Sequence, residues 1–243
     1  MTLPALRKKI VNWIRLNLRQ SGAKGIVLGL SGGVDSACAA ALCRQAVSEN
    51  KVLGLLLPCH SHIQDLRDAR LTAKSLGIKI KTLDLSGIYD SLLKILPPAN
   101  RVAAANLKSR LRMAVLYYFA NSLNYLVCGT GNKSELMVGY FTKFGDGGVD
   151  ILPLADLFKA QVRQLAGELG IHKRIIDKPP SGGLWPGQTD EGEMGISYRE
   201  LDEILQRLET KQSQALAQKK VNKVKQMIRC SAHKRQGPRI CCL

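Results

Sequence analysis

A six-residue turn, Ser31-Gly32-Gly33-Val34-Asp35-Ser36, lies directly between an apolar run, Gly25 to Leu30 (GIVLGL), and an alanine-rich stretch, Ala37 to Val47. A strand, a tight glycine turn and a helix in immediate succession aim several backbone N–H groups at one point, and the helix dipole adds to them. Such a point attracts an anion. Gly32 and Gly33 allow the backbone to come close to it, and Ser31 and Ser36 add hydroxyl donors. Asp35 is the informative member. A carboxylate beside a phosphate is repelled unless a cation lies between them, so Asp35 points to Mg²⁺. No Gly-Lys-Ser/Thr follows, which excludes a Walker loop. The turn therefore implies an enzyme that consumes ATP.

The rest of the chain supplies the sheet that such a turn needs. Lys51 to Leu57 and Ile78 to Leu85 read as the second and third strands, and Tyr125 to Cys128 as a fourth that ends at Gly129. Between them, Asp65 to Leu76 and Arg101 to Ser122 read as helices, the first stopped by Gly77. The alternation predicts an α/β fold, a doubly wound parallel sheet flanked by helices. Ligands of such sheets bind beyond the carboxyl ends of the strands, which puts the loops at Ser31, Pro58 and Gly129 on one rim. Further on, Asn132 to Gly139, Phe158 to Gly170 and Tyr198 to Ile228 read as helices. Tyr140 to Asp150 reads as a glycine-rich loop. Lys178 to Gly195, rich in glycine and proline, reads as a long loop and a candidate lid. Neither a repeat nor a linker is evident, so residues 1–243 are expected to form a single domain.

Composition narrows the function classes. No run approaches the roughly eighteen apolar residues of a membrane span. Met1 to Ser21 is basic and amphipathic, with neither a continuous apolar region nor a cleavage site, so it reads as a helix and not as a secretory signal. The seven cysteines form no C-x-x-C pair, which argues against a disulfide framework or a zinc site and favours the cytoplasm. Lys and Arg number 36 against 19 acidic residues, a formal net charge of +17. That excess suits either a nucleic acid or an anionic substrate in a positive cleft.

The motifs choose between these. SGGVDS resembles the signature of the N-type ATP pyrophosphatases, whose fold is adenine-nucleotide α-hydrolase-like. Gly129-Thr130-Gly131-Asn132-Lys133-Ser134-Glu135, Gly139 to Asp146, Asp150, Pro153, Lys159, Pro180-Ser181, Gln188-Thr189-Asp190-Glu191 and His233-Lys234-Arg235 resemble NAD synthetases in particular. The resemblance implies ATP-dependent amidation of deamido-NAD to NAD through an adenylylated nicotinate carboxylate, with ammonia consumed and AMP and pyrophosphate released. It assigns Gly29, Leu30, Ser31, Gly32, Gly33, Val34, Asp35 and Ser36, with Thr130, Lys159 and Ser181, to ATP. It assigns Asp35 and Glu135 to Mg²⁺, and Arg110, Lys143, Asp150, His233 and Lys234 to deamido-NAD. Asp35, Lys159 and Asp146 are the expected catalytic set, Asp146 binding substrate or positioning ammonia. Phe141 or Phe144 is the candidate to stack on the pyridine ring.

The resemblance further implies a homodimer with deamido-NAD near its interface. The chain offers no segment for a glutamine amidotransferase domain, so free ammonia is the expected nitrogen donor. Neither nucleic acid nor membrane is an expected partner. Two rival readings stand beside this one. A tRNA-modifying ATP pyrophosphatase would share the adenylylation and suit the charge. A non-enzymatic nucleotide-binding regulator would not need Asp35, Glu135 and Lys159 together.

Overall fold

The computed structural model describes residues 1–210 and 218–241. In chain order the elements are α1 (Leu3–Ser21), β1 (Gly25–Gly29), α2 (Val34–Ala46), β2 (Val52–Leu56), α3 (Ile63–Leu76), β3 (Lys79–Thr82), α4 (Ser86–Ile95), α5 (Arg101–Leu123), β4 (Tyr125–Val127), α6 (Lys133–Val138), α7 (Lys159–Glu168), α8 (Lys173–Ile176), α9 (Asp190–Met194), α10 (Tyr198–Thr210) and α11 (Gln218–Cys230). The strands form one parallel sheet in the order β3-β2-β1-β4. The chain winds outward from β1 to β3, then returns to β4 on the other side of β1. The crevice between the carboxyl ends of β1 and β4 is thus the topological switch point, where such sheets bind ligands.

Strand alternation sends side chains to two cores. Ile26, Leu28, Val52 and Leu56 face a core closed by α1, α2, α3, α7 and α8. Val27, Leu53 and Leu55 face a second core closed by α4 and α5. Because β1 and β2 are buried on both faces, they read as continuous apolar runs. A third cluster, beyond the sheet, gathers Val138, Met194, Tyr198, Leu201, Ile204, Leu205 and Val224 from α6, α9, α10 and α11. The i, i+3, i+4 spacing of Leu201, Ile204 and Leu205 forms the buried stripe of α10.

The doubly wound sheet stands as expected, and several element bounds change. The third strand is shorter, Lys79–Thr82 against the expected Ile78 to Leu85, because the chain turns at Leu83 and Asp84 into α4. Helix α4 itself was not expected. Its inward side is only Tyr89 and the half-buried Leu92, while Ile88, Leu93 and Ile95 are exposed, so the apolar pattern does not single out one face. The expected helix Tyr198 to Ile228 is two helices, α10 and α11, packed together in the third cluster. The middle of that span, 211–217, lies outside the described residues, as does Cys242. The segment 178–195 is not wholly loop, since it contains α9.

Candidate active site

A cleft of about 900 Å³ opens at the switch point. Its floor is the turn after β1. Gly32 adopts φ +80, and a Cβ there would run into the Asp65 carbonyl oxygen, so this position requires glycine. The Ser31 and Ser36 hydroxyls lie 3.0 Å apart, and the Ser36 hydroxyl donates to the Gly33 carbonyl at 3.0 Å. Gly33 caps α2, so the first N–H groups of that helix face the cleft. Gly29, Leu30, Ser31, Gly33, Val34, Asp35 and Ser36 all line it, as do Thr130 after β4 and Ser181.

Three elements bring charge to this floor. Lys159, the first residue of α7 and only 3% exposed, reaches Asp35 on α2 and lies 3.3 Å from Glu135 on α6. Asn132 donates to Asp35 at 3.0 Å. Asn132 and Glu135 also form the capping box of α6, which fixes the Glu135 carboxylate beside the cleft. Burial lifts the Glu135 carboxyl to about 7; the neighbouring Asp35 charge adds to the rise and Lys159 opposes it. Burial works against the Lys159 ammonium, but the two carboxylates outweigh it and hold it above its ordinary value. The Tyr198 ring lies 4.9 Å from the same ammonium.

The triad is held from behind. The Ser134 hydroxyl donates to the buried carboxylate of Asp202 on α10 and accepts the Lys159 N–H at 3.0 Å. Asp202 also accepts the Ala160 N–H at 3.1 Å. One carboxylate thereby pins the start of α7, which carries Lys159, to the helix that carries Glu135. A second support is Lys178, which reaches Asp65 at 2.5 Å, Asp68 at 3.0 Å and the Gly32 carbonyl at 3.4 Å. Asp68 is buried, which alone would raise its carboxyl, yet the hydrogen bonds from Lys178 and Gln64 hold it below the ordinary range.

The expected second-substrate residues divide. Asp146 and Lys234 line the cleft. Asp146 accepts from the Ser109 hydroxyl at 2.7 Å and the Thr142 N–H at 2.9 Å, which ties the glycine loop to α5. Lys234 donates to the Gly139 and Phe141 carbonyls at 2.8 Å. Arg110, Lys143, Asp150 and His233 do not line this cleft. Lys143 donates to the carbonyls of His233 at 2.6 Å and Gln236 at 2.9 Å, while Asp150 accepts from the Tyr117 hydroxyl at 2.9 Å. Phe141 lines the cleft, whereas Phe144 lies outside it and is 59% exposed.

Several residues in and behind the cleft are not legible in the sequence. Arg112 on α5 lines the cleft and donates to the Leu57 carbonyl at 3.0 Å and the Ser61 hydroxyl at 3.2 Å. Lys178, Tyr198 and Asp202 have partners far away in the chain and leave no local signal. The Asn132-to-Glu135 capping box is the exception, an N-x-x-E pattern legible in the sequence.

Known proteins resemble the whole of this architecture. An NH(3)-dependent NAD(+) synthetase of Archaeoglobus fulgidus is 50% identical over 240 residues, covering 98% of this chain and 96% of the relative. An NMN synthetase from Francisella tularensis superposes with a TM-score of 0.92 at 38% identity, covering 99% of this chain and 98% of that one. An NH3-dependent NAD synthetase from Campylobacter jejuni, solved with a nitrate ion, gives 0.88 at 32% identity and covers 99% of both chains. The NAD synthase family model matches residues 6–238, and the chain belongs to that family.

Proposed function

We propose that this enzyme amidates deamido-NAD to NAD with ATP and ammonia, in the cleft at the β1/β4 switch point. The observation that carries the reading is the convergence of Asp35, Glu135 and Lys159 on a glycine turn that aims N–H groups at one point. A nicotinate carboxylate is a poor electrophile. Its oxygen attacks the α-phosphorus of ATP and expels pyrophosphate. Ammonia then adds to the carbonyl carbon, AMP departs, and the nitrogen loses a proton. Both substrates are anionic, so cationic groups aimed at the meeting point lower the barrier. Gly29 to Ser36 hold the phosphates, Lys159 faces the charge that develops on them, and Thr130 and Ser181 contact ATP.

The donor set fits Mg²⁺. Asp35 and Glu135 are hard oxygen ligands that converge on one point, and Mg²⁺ is commonly held by one or two carboxylates with phosphate oxygens completing its shell. When bound, the ion would neutralise charge on the phosphate oxygens.

Lys234, Asp146 and Phe141, which line the cleft, are assigned to the nicotinate side, with Asp146 positioning ammonia. Arg110, Lys143, Asp150 and His233 are assigned to deamido-NAD outside the cleft, near a homodimer interface. Arg110, Asp150 and His233 are exposed and Lys143 is half-buried beside His233, which supports that assignment, and sedimentation as a dimer in analytical ultracentrifugation tests the interface. Direct use of ammonia by a single catalytic domain is part of this reading. No helix is long and apolar enough to cross a membrane among the described residues, and the cytoplasm is the proposed compartment.

A second reading has one specific support, the similarity to an enzyme named NMN synthetase. One assay separates them. ATP, Mg²⁺ and ammonia or glutamine are supplied with either deamido-NAD or nicotinate mononucleotide, and AMP release is followed. Preference for deamido-NAD with ammonia is expected. Preference for the mononucleotide would move the chain to the second reading. Tight, salt-sensitive tRNA binding without turnover of either acid would refute both.

A further inference from the structure

We infer that Tyr198 is a positioning residue that couples ligand engagement at Glu135 to the seating of the 180–190 segment over the cleft. The inference rests on the reading of this cleft as an ATP site. The Tyr198 side chain is buried between two carboxylates, its hydroxyl 3.1 Å from Glu135 Oε1 and 3.0 Å from Asp190 Oδ2. A phenol has one hydrogen to donate. It serves Glu135 or Asp190, not both at full strength, so the two bonds are alternatives of similar length.

Each end of that choice has a consequence. Glu135 belongs to the buried triad at the phosphate turn. Asp190 closes the 180–190 segment. Its N–H donates to the Pro180 carbonyl at 3.1 Å, and its carboxylate accepts from the Tyr140 hydroxyl at 3.2 Å. The segment crosses the cleft to α5, where Lys108 donates to the Leu184 carbonyl at 2.9 Å and Arg101 lies 4.5 Å from the Trp185 ring. A ligand that engages Glu135 weakens it as an acceptor, and the phenolic hydrogen passes to Asp190. That tightens the base of the segment above the bound phosphates. The two arrangements of one hydrogen are the bistable element that coupling requires.

Hydrogen exchange on the full chain, with ATP and Mg²⁺ but no second substrate, reads this directly. In the wild type, ATP slows exchange of the amides between Gly182 and Gln188 by roughly tenfold, the scale of one hydrogen bond to a charged group. Tyr198→Phe keeps the ring beside Lys159 and removes only the hydroxyl. It binds ATP within about threefold of wild type by calorimetry, yet the slowing falls below about twofold. Asp190→Asn, whose amide is a weaker acceptor, shows the same loss, and the double variant loses no more than either single one. Full slowing in Tyr198→Phe or Asp190→Asn, with ATP bound, overturns the coupling and leaves the ATP site standing. A wild-type chain that does not bind ATP overturns both.

Discussion

Replacing Lys159 with methionine removes one ammonium from between two carboxylates while keeping most of the volume of its stem. In the native protein this ammonium is 3% exposed and engages both Asp35 and Glu135. Removing one partner from a buried ion pair costs about 3–5 kcal/mol, because the remaining charge is uncompensated. Here the cost is reduced, since the Asp35 and Glu135 side chains keep 17% and 16% exposure to the cleft and regain some water. A loss of about 2–3 kcal/mol follows, or roughly 4–12 °C in Tm for a chain of this size. The loss depends on pH, and its sign is fixed. Burial already holds the Glu135 carboxyl at about 7, above its unfolded value, and losing Lys159 raises it further. A carboxyl raised in the folded state binds its proton more tightly there, so its contribution to stability is full below the unfolded value and is lost as pH rises through the folded one. Calorimetric unfolding at pH 5.5 and pH 8 should therefore show the larger deficit at pH 8. A variant within 1 °C of wild type at pH 8, or a deficit independent of pH, would refute the account of the triad.

Other substitutions probe the remaining supports. Gly32→Ala forces a side chain into the Asp65 carbonyl at φ +80 and should abolish the Tm rise that ATP gives the wild type. Gly33→Ala, at φ −96, should keep native stability to within about 1 kcal/mol in the same thermal assay. Asp202→Ala leaves the Ser134 hydroxyl and the Ala160 N–H without their buried acceptor, and about 3 kcal/mol should be lost in denaturant unfolding. Asp202→Asn should recover part of it. Iodoacetamide on the native protein should modify the exposed Cys230 and Cys241 well before Cys38 and Cys59, whose thiols burial pushes up, and Cys128, whose thiol is raised by its hydrogen bond with Cys43 and by burial, as peptide mass mapping would show.

Legibility in the sequence followed the range over which each feature is encoded. Strands β1 and β2 are buried on both faces and announce themselves as apolar runs. Strand β3, an edge strand with Lys79 and Lys81 exposed, carries a weaker pattern, and its bounds were drawn too wide. The glycine turn is contiguous, so residues 29–36 and their place at the carboxyl end of β1 are legible directly. Lys159 was recovered through an ordered series of motifs, not through any local property. The Tyr198 hydroxyl, Asp202 and Lys178 act on partners 63, 68 and 113 positions away, and no window of sequence contains both members of such a pair. Motif order also carries no distances. It grouped Lys143 and Asp150 with Lys234, whereas the fold sets only Lys234 in the cleft.

The pinning of α7 bears on how the molecule is made. The phosphate turn is complete at Ser36, but its cation comes from Lys159 and the acid that fixes that lysine from Asp202. At roughly 5–20 residues per second, a ribosome needs on the order of 10 s or more to travel from one to the other. During that time the emerging chain carries a glycine loop and a lone Asp35, whose charge repels a nucleotide phosphate. A chain that ends before Asp202 therefore lacks the acid that seats Lys159 against Asp35. In a ribosome-release assay on stalled chains of increasing length, affinity for ATP is expected to rise only beyond Asp202.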